Sequence, residues 1–312
     1  MICPPESKEA GDQKRYSDKG ECVMYSEIKE QPEDQGARKI IAQHLVKNYT
    51  LKEKNGLFSR KSKKIVHAVR DISLEIPRGK IIGVLGINGA GKTTTIRMLA
   101  SIISPTSGSL TMNGVDAVKN HLWVKQRINM ITGGERNLYW RLTAQENLRY
   151  FGSLYGQSGP MLEERITHLL DTVGLTEVRD IPVERYSKGM KQRLQIARGL
   201  INNPEYLFMD EPTLGLDIMI AQEIRELILK QAREEEKGIL LTTHYISEAE
   251  ELCDYIYVID HGEMIAKGTK QELRELFVQD LSLEEILVRI IRKSREGEEH
   301  EEGAVNNESR DC

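Results

Sequence analysis

The chain has 312 residues, of which 39% are hydrophobic and 29% are charged, and its formal net charge is −4. That length and composition predict one large globular domain, and the slightly negative charge gives no reason to expect a nucleic-acid partner. Because no run of about 18 apolar residues occurs, the sequence predicts no membrane-spanning helix. The charged N-terminus also does not match a secretory signal peptide. Any role at a membrane is therefore expected to depend on a partner.

Both ends of the chain have the composition of solvated tails. Residues 1–37 are polar, contain several prolines and glycines, and show no apolar period, so we expect a mostly disordered extension. Residues 294–312 are rich in glutamate and predict an acidic disordered tail. The folded domain is expected over residues 38–293. The four cysteines show no metal-binding or redox spacing, which favours reduced thiols in an intracellular protein.

Between the tails, short apolar runs alternate with helical patterns. Residues 80–86 predict a buried strand that ends at glycine, and a helix is expected from Lys92 to about Ala100. Residues 206–210 and 238–243 predict two more buried strands, each flanked by helical sequence. Strands separated by helices are typical of a parallel sheet with crossover connections, so the fold class is α/β.

The last part of the folded segment has a different pattern. Two short apolar runs within residues 255–265 meet at His261-Gly262, which predicts an antiparallel hairpin. Further on, Ser282 and Glu285 form a capping-box pattern before an apolar stripe at helical spacing. Packing of this helix on its own domain is favoured over binding to a partner, and both remain open. The stripe consists of Leu283, Ile286, Leu287, Ile290 and Ile291.

Residues 86–93 read Gly-Ile-Asn-Gly-Ala-Gly-Lys-Thr and match the phosphate-binding pattern GxxxxGK[ST] at every specified position. Glycines let backbone N–H groups converge on phosphate oxygens, and the helix that follows presents its positive end to the anion. Lys92 can neutralise charge on the β- and γ-phosphates, and the Thr93 hydroxyl can ligate Mg²⁺. The predicted nucleotide contacts are Gly86, Asn88, Gly89, Ala90, Gly91, Lys92, Thr93 and Thr94.

Two acidic residues and a histidine follow the other predicted strands. Asp210 and Glu211 come at the end of one strand, and His244 follows the next. Because parallel strands place their carboxyl ends at one edge, these groups are expected to meet Lys92 there. Asp210 is predicted to hold Mg²⁺, Glu211 to polarise the attacking water, and His244 to contact the γ-phosphate. The alternatives are a helix N-cap for the acidic pair and a purely structural histidine.

The order of four segments resembles the ATP-binding subunits of ABC transporters. These segments are residues 86–93, 186–193 and 210–217, followed by His244. The resemblance extends from about Lys39 to Leu287. It implies a P-loop NTPase fold with a RecA-like core, an antiparallel β edge and a helical insertion near residues 140–190.

The resemblance assigns roles to residues outside the P-loop. The signature motif, which in the family contacts the γ-phosphate held by the opposite subunit, corresponds to Ser187, Lys188, Gly189 and Met190. Lys188 stands where the family pattern has glycine, and Met190 where it usually has glutamine. Ser187 is also predicted to cap a helix over residues 189–201.

Three further assignments come from the same resemblance. Asp217 belongs to a segment similar to the D-loop at the dimer interface, and His244 corresponds to the switch histidine. Tyr49 resembles the aromatic residue that stacks on adenine, although a strand-end tyrosine is the alternative. The Q-loop departs from the family, because Gly134 stands at or near the expected glutamine. Glu135 is the suggested substitute as a metal ligand.

The resemblance implies a transport ATPase with ATP and Mg²⁺ as its ligands. Two copies are expected to bind ATP between them and to power a separate transmembrane permease, most similar to the ABC-2 exporters. The chain would then be cytoplasmic and peripheral on the cytoplasmic face of the cell membrane. Two alternatives stay open: an ABC ATPase without a transporter, acting in translation or repair, and a nucleotide-binding module with little turnover. The cargo is not readable from this sequence.

Overall fold

The computed structural model describes residues 14–16, 22–24, 38–53, 62–133, 138–276 and 281–294. The chain divides into a small N-terminal unit, Met1–Glu33, and a main unit, Asp34–Cys312. In the N-terminal unit, strand β1 (Lys14–Tyr16) pairs antiparallel with β2 (Cys22–Met24), which the composition of this extension did not predict. The rest of the extension and the acidic tail lie outside the described residues.

The main unit is built on one sheet of ten described strands. In chain order these are β3 (Lys39–Glu53), β4 (Ser62–Pro77), β5 (Ile81–Leu85), β6 (Ser107–Met112), β7 (Val115–Asp116), β8 (Ile128–Thr132), β9 (Tyr206–Asp210), β10 (Gly238–Thr242), β11 (Tyr255–Asp260) and β12 (Glu263–Gly268). Across the sheet the order is β7-β6-β3-β4-β12-β11-β5-β10-β9-β8. Strands β11, β5, β10, β9 and β8 run parallel, whereas β7, β6, β3 and β4 pair antiparallel. The predicted parallel sheet with an antiparallel edge is thereby confirmed.

Helices connect and cover these strands. They are α1 (Lys92–Leu99), α2 (His121–Arg127), α3 (Ala144–Leu154), α4 (Gly159–Thr172), α5 (Lys188–Gly199), α6 (Ile218–Arg233), α7 (Ile246–Leu252), α8 (Lys270–Glu275) and α9 over residues 283–294. Two single 3₁₀ turns, Thr176–Val178 and Val183–Arg185, precede α5. Among the described residues, no helix combines the length and apolar character needed to cross a bilayer.

Each face of the sheet packs against its own apolar cluster. On β5, Ile81 and Leu85 belong to one cluster, whereas Ile82 and Val84 belong to the other. Side chains alternate between faces along a strand, so a strand buried on both faces must be apolar throughout. This explains why the apolar run before the P-loop predicted the strand correctly.

The helices between residues 140 and 190 are fixed to the chain around them by polar contacts. Thr143 and Glu146 form a capping box at the start of α3. The fully buried Asn147 side chain accepts from the Tyr139 N–H at 2.8 Å and donates to the Tyr139 and Thr143 carbonyls at 3.0 and 2.9 Å. These bonds satisfy the backbone of the loop that enters the insertion.

Two other predicted elements are also present. His261 and Gly262 adopt positive φ at the turn of the β11–β12 hairpin. Before α9, Ser282 and Glu285 form the expected capping box, with the Glu285 N–H donating to Ser282 Oγ at 3.3 Å. Three residues of the α9 stripe are buried in this domain, which agrees with packing on the domain itself: Leu283, Ile286 and Leu287.

Candidate functional site

The loop between β5 and α1 needs glycine because other backbone segments lie against it. A Cβ atom on Gly86 would lie 2.2 Å from the Ile259 carbonyl oxygen. A Cβ on Gly91 would lie 2.7 Å from the Ala68 carbonyl oxygen, and Gly91 adopts a φ of 102°. Both distances are far shorter than a van der Waals contact, so larger residues would displace the loop. The loop is therefore held in one shape by strands β4 and β11.

The Lys92 side chain folds back over this loop. Its Nζ donates to the carbonyl oxygens of Gly86 and Ile87 at 2.6 and 2.9 Å. Burial lowers the pKa of Lys92, while the negative charges of Glu211 and Asp210 oppose that shift. The ammonium thus lies close to both carboxylates, as the strand order predicted.

Asp210 joins three elements at the carboxyl edge of the sheet. Its Oδ1 accepts from the Thr242 hydroxyl at 2.5 Å, and its Oδ2 accepts from the Thr93 hydroxyl at 3.4 Å. Its carbonyl accepts from the Gly133 N–H at 2.8 Å. The carboxylate is consequently fixed beside the start of α1. Thr242 was not among the predicted site residues, because a threonine inside an apolar strand gives no sequence signal.

Glu211 leaves β9 with a φ of 53° and donates its N–H to the Thr242 carbonyl at 3.0 Å. This left-handed conformation is costly for a residue with a side chain and is often found at functional sites. The Glu211 Oε1 lies 3.3 Å from His244 Nδ1, so the two groups predicted to act on the γ-phosphate are in contact. Both side chains remain partly exposed.

A cavity of about 300 Å³ lies at this edge of the sheet. Its lining includes the P-loop, the start of α1 and Glu211, together with three residues of β4 that the sequence did not single out: Val66, His67 and Ala68. His67 Nδ1 lies 2.8 Å from Asn48 Oδ1, which orients the ring. Tyr49, the predicted adenine contact, is paired with Val66 across the β3–β4 hairpin.

The candidate signature residues lie at the tip of α5 and are not among the described residues that line this cavity. Ser187 caps the helix as predicted, because its hydroxyl accepts from the Met190 N–H at 3.2 Å. Lys188 Nζ donates to the Gly215 carbonyl at 2.8 Å, in the segment after Glu211. Gly189 is buried, and a Cβ there would lie 2.8 Å from Ile220 Cγ2 on α6.

The segment between Glu211 and α6 is anchored at both ends. Thr213 donates its hydroxyl to Glu248 Oε1 at 2.8 Å, and burial raises the pKa of the Glu248 carboxyl. Asp217 is the N-cap of α6 and accepts from the Ile220 N–H at 3.0 Å. Three apolar side chains of this region are exposed: Leu214, Ile218 and Met219. Glu135 and Gly134 lie outside the described residues.

Comparison with known proteins supplies the family. The family described as ABC transporter matches residues 69–214. The chain is 46% identical to the ABC transporter ATP-binding protein NatA of Bacillus subtilis (strain 168) over 213 residues. The matched region covers 68% of this chain and 86% of that protein. The chain belongs to the ABC transporter family. It is an ATP-binding subunit of the ABC type, and its activity is ATP hydrolysis.

Two further comparisons concern other members of the ABC family. The chain is 42% identical over 205 residues to the Nod factor export ATP-binding protein I of Cupriavidus pinatubonensis (strain JMP 134 / LMG 1197), covering 66% of this chain but only 62% of that relative's length. The dimeric structure of MJ0796, a bacterial ABC transporter cassette, matches with a TM-score of 0.64 and 25% identity. That match covers 74% of this chain and 98% of the other.

Thr93 at the start of α1 and Asp210 at the end of β9 together fit a magnesium ion, which an ATPase of this family uses with ATP. Thr93 and Asp210 supply hydroxyl and carboxylate oxygens, which are the ligands Mg²⁺ prefers, and their oxygens lie 3.4 Å apart. Among the described residues there is no cluster of three His, Cys, Asp or Glu side chains that would form an all-protein metal cage. Mg²⁺ beside a triphosphate needs only one or two protein ligands, so the pair is sufficient.

Proposed function

We propose that the chain powers export by hydrolysing Mg-ATP at sites shared between two copies, with a separate transmembrane permease carrying the cargo. The observation that carries this proposal is that Lys92 and Glu211 line one cavity, with His244 in contact with Glu211. The phosphate-binding signature expected from the family lies elsewhere on the chain, at Ser187. A triphosphate held in the cavity therefore needs a second chain to complete its surroundings.

The proposed chemistry is an in-line attack of water on the γ-phosphorus. Glu211 accepts a proton from the water, the bond between the γ-phosphorus and the bridging oxygen breaks, and ADP and phosphate leave. Lys92 offsets the negative charge on the phosphates, and His244, held against Glu211, contacts the γ-phosphate. Thr93 and Asp210 are the residues that would hold Mg²⁺, which would supply positive charge beside the phosphates. Tyr49 is the proposed adenine contact.

The proposed second half of the site comes from another copy of the chain. The α5 tip, Ser187 to Met190, presents the N–H groups of Lys188 and Gly189 and a positive helix end to the γ-phosphate of the partner copy. Asp217 is proposed to lie at the same interface. Exposed apolar side chains next to it support this, since Ile218 is 83% and Met219 72% exposed. The dimeric cassette to which the chain is similar supports the arrangement.

Export through a separate permease rests on the relatives and on an exposed aromatic surface. One relative is described as a Nod factor export ATP-binding protein. Around the start of α3, Tyr139 and Trp140 are 47% and 48% exposed, and Tyr150 and Leu154 are exposed beside them. We propose this surface as the docking site for the permease on the cytoplasmic face of the membrane. Replacing Trp140 with Asp should then release the chain from detergent-solubilised membranes without changing its fold.

A mixing experiment tests the shared site. One full-length variant, Lys92→Met, has a defective P-loop, and a second variant, Ser187→Tyr, has a defective signature. Neither homodimer contains an intact site, whereas the mixed dimer contains one intact site of two. Phosphate release should therefore be very low for each variant alone and recover on mixing, toward half the wild-type rate per mixed dimer.

Two results would overturn the proposal. If each ATP were hydrolysed within a single chain, mixing would give no recovery, because each variant lacks one half of its own site. If wild-type protein binds Mg-ATP but hydrolyses it no faster than Glu211→Gln, with or without its membrane partner, the chain is a nucleotide-binding module. A double variant carrying both changes, mixed with wild type, serves as the control for dilution.

A further inference from the structure

A second cavity lies at the edge of the sheet opposite the P-loop. It has a volume of about 50 Å³ and is enclosed by α4, the end of α5, α6 and the segment before β10. Lys237 immediately precedes β10, whereas the P-loop follows the carboxyl end of β5. The two strands are parallel neighbours, so the cavity and the nucleotide site are at opposite ends of the same strands.

Four of the ten described residues that line the cavity have basic side chains. Arg165 and His168 come from α4, Lys230 comes from α6, and Lys237 comes from the segment after it. Glu235 is the one carboxylate among the described lining residues. Within the described part of the chain, Arg165, Lys230 and Lys237 form no ion pair with a carboxylate. The lining therefore has excess positive charge.

Lys237 is the most informative residue of this group. Only 4% of it is exposed, and its Nζ donates to Asn203 Oδ1 at 3.0 Å. Burial lowers the pKa of Lys237, and the positive charges of Arg165 and Arg78 lower it further against Glu235 and Glu205. An ammonium has three N–H donors, and a buried charge is costly unless it is paired. The Asn203 amide oxygen can accept from one of the three N–H groups of Lys237, so the other two can donate to a ligand.

Arg165 provides a second set of donors from the other side of the cavity. Its Nη2 donates to the Leu200 carbonyl at 2.7 Å, while its buried Nε has no hydrogen-bond partner among the described residues. Burial also lowers the pKa of Arg165. Lys237, which is buried, and Arg165, which is partly buried, thus line one small cavity in which Glu235 is the one described carboxylate.

We propose that this cavity is a binding site for a free tetrahedral oxoanion, of the phosphate or sulfate class. Such an ion accepts several charged N–H donors at once, which is what Lys237 and Arg165 offer together. A single water needs about 10–15 Å³ of comparable space, so the cavity holds an ion of a few atoms but not a nucleotide. The bound ion bridges α4 of the helical insertion to the segment between α6 and β10 of the core. It therefore stiffens that junction from the side opposite ATP.

Thermal unfolding and calorimetry of the full-length chain test this site. The P-loop is first filled with Mg²⁺ and a non-hydrolysable ATP analogue, so that added phosphate cannot bind there. Potassium phosphate, potassium sulfate and potassium chloride are then compared at equal ionic strength. Phosphate or sulfate should raise the Tm of wild type in a saturable way, as expected for a ligand of the folded state, and chloride should not.

Three variants identify the residues. Lys237→Met and Arg165→Met should each weaken phosphate binding by at least about tenfold, whereas the exposed Lys125→Met should bind as wild type does. Without phosphate, Lys237→Met should be as stable as wild type or more stable, because it removes an incompletely paired buried charge. A purely structural Lys237 gives the opposite pattern: lower stability in chloride and an unchanged phosphate response. That pattern, an equal response to chloride, or full binding by Arg165→Met would overturn the proposal.

Discussion

The two helix tips that we propose to contact phosphate, α1 at Lys92 and α5 at Ser187, have different surroundings in the folded chain. The α1 tip lies in a cavity with Glu211 and the buried Lys92, and its Thr93 hydroxyl donates to Asp210. At the α5 tip Ser187 and Lys188 are exposed, and the Ser187 hydroxyl accepts from the Met190 N–H as an N-cap. The α1 tip is surrounded by charged side chains of its own chain, whereas the α5 tip faces solvent. Mutations at the two tips should therefore affect different properties, chemistry at α1 and association at α5.

The largest expected effect is at Glu211. Replacing it with glutamine removes the proposed proton acceptor but keeps the size and a group that can contact His244, so ATP hydrolysis should fall by about 10²–10⁴-fold. ATP binding should change little, because Lys92 and the glycine loop remain. The measurements are steady-state phosphate release and calorimetric titration with ATP.

The control for this prediction is Glu284→Gln, which changes an exposed carboxylate on α9. It should leave both the rate and the affinity unchanged. If Glu211→Gln retained most of the wild-type rate, Glu211 would not be the proton acceptor. The proposal that the side chains around the α1 tip carry out the chemistry would then be wrong. In the hydrolysis-blocked variant, ATP should also increase the fraction of dimer.

An intermediate effect is expected at Lys188. Its bond to the Gly215 carbonyl ties the α5 tip to the segment after Glu211, so the two proposed interface elements are held together. Lys188→Met removes one charge-assisted hydrogen bond at an exposed position, and ATP-dependent dimerisation should weaken about 3- to 10-fold. The measurement is sedimentation in the Glu211→Gln background, where hydrolysis does not deplete the dimer.

ATP binding by the isolated chain should be unaffected by Lys188→Met, which distinguishes this variant from any change at α1. Lys267→Met, at an exposed position of strand β12, is the matched control and should dimerise normally. Unchanged dimerisation of Lys188→Met would show that the bond to Gly215 does not organise the interface. Weaker binding by the monomer would show that the two tips are not independent.

Local patterns were sufficient to predict the parallel part of the fold. The runs before Gly86, at residues 206–210 and at 238–243 became β5, β9 and β10, because strands buried on both faces must be apolar along their whole length. The P-loop and the carboxylates at strand ends were predicted for the same reason, since the parallel order brings these ends together.

What the sequence did not predict depends on contacts between distant segments. His67 and Val66 line the nucleotide cavity only because β4 lies beside the loop at Gly91. Residues 52–64 are rich in lysine and give no strand signal, yet the β3–β4 pairing continues to Glu53 and Ser62. Nor does Thr213 indicate by itself that it will donate to Glu248, 35 residues later in the chain. Pairings of this kind require the tertiary structure.

The smallest expected effect concerns the hydrogen bond from Thr213 to Glu248, which anchors the segment between Glu211 and α6. Burial raises the pKa of Glu248 above its unfolded value of 4.5, despite hydrogen bonds from Thr243 and Thr213. Ionised Glu248 therefore destabilises the folded state above its folded pKa, and this penalty disappears as the pH falls to 4.5 and below. Glu248→Gln keeps an oxygen for Thr213 and removes the charge, so it should raise the Tm at pH 8 by roughly 2–4 °C. The gain should shrink steadily in melting curves taken toward pH 4.5. A lower Tm for the variant at pH 8 would mean that Thr213 requires the full negative charge.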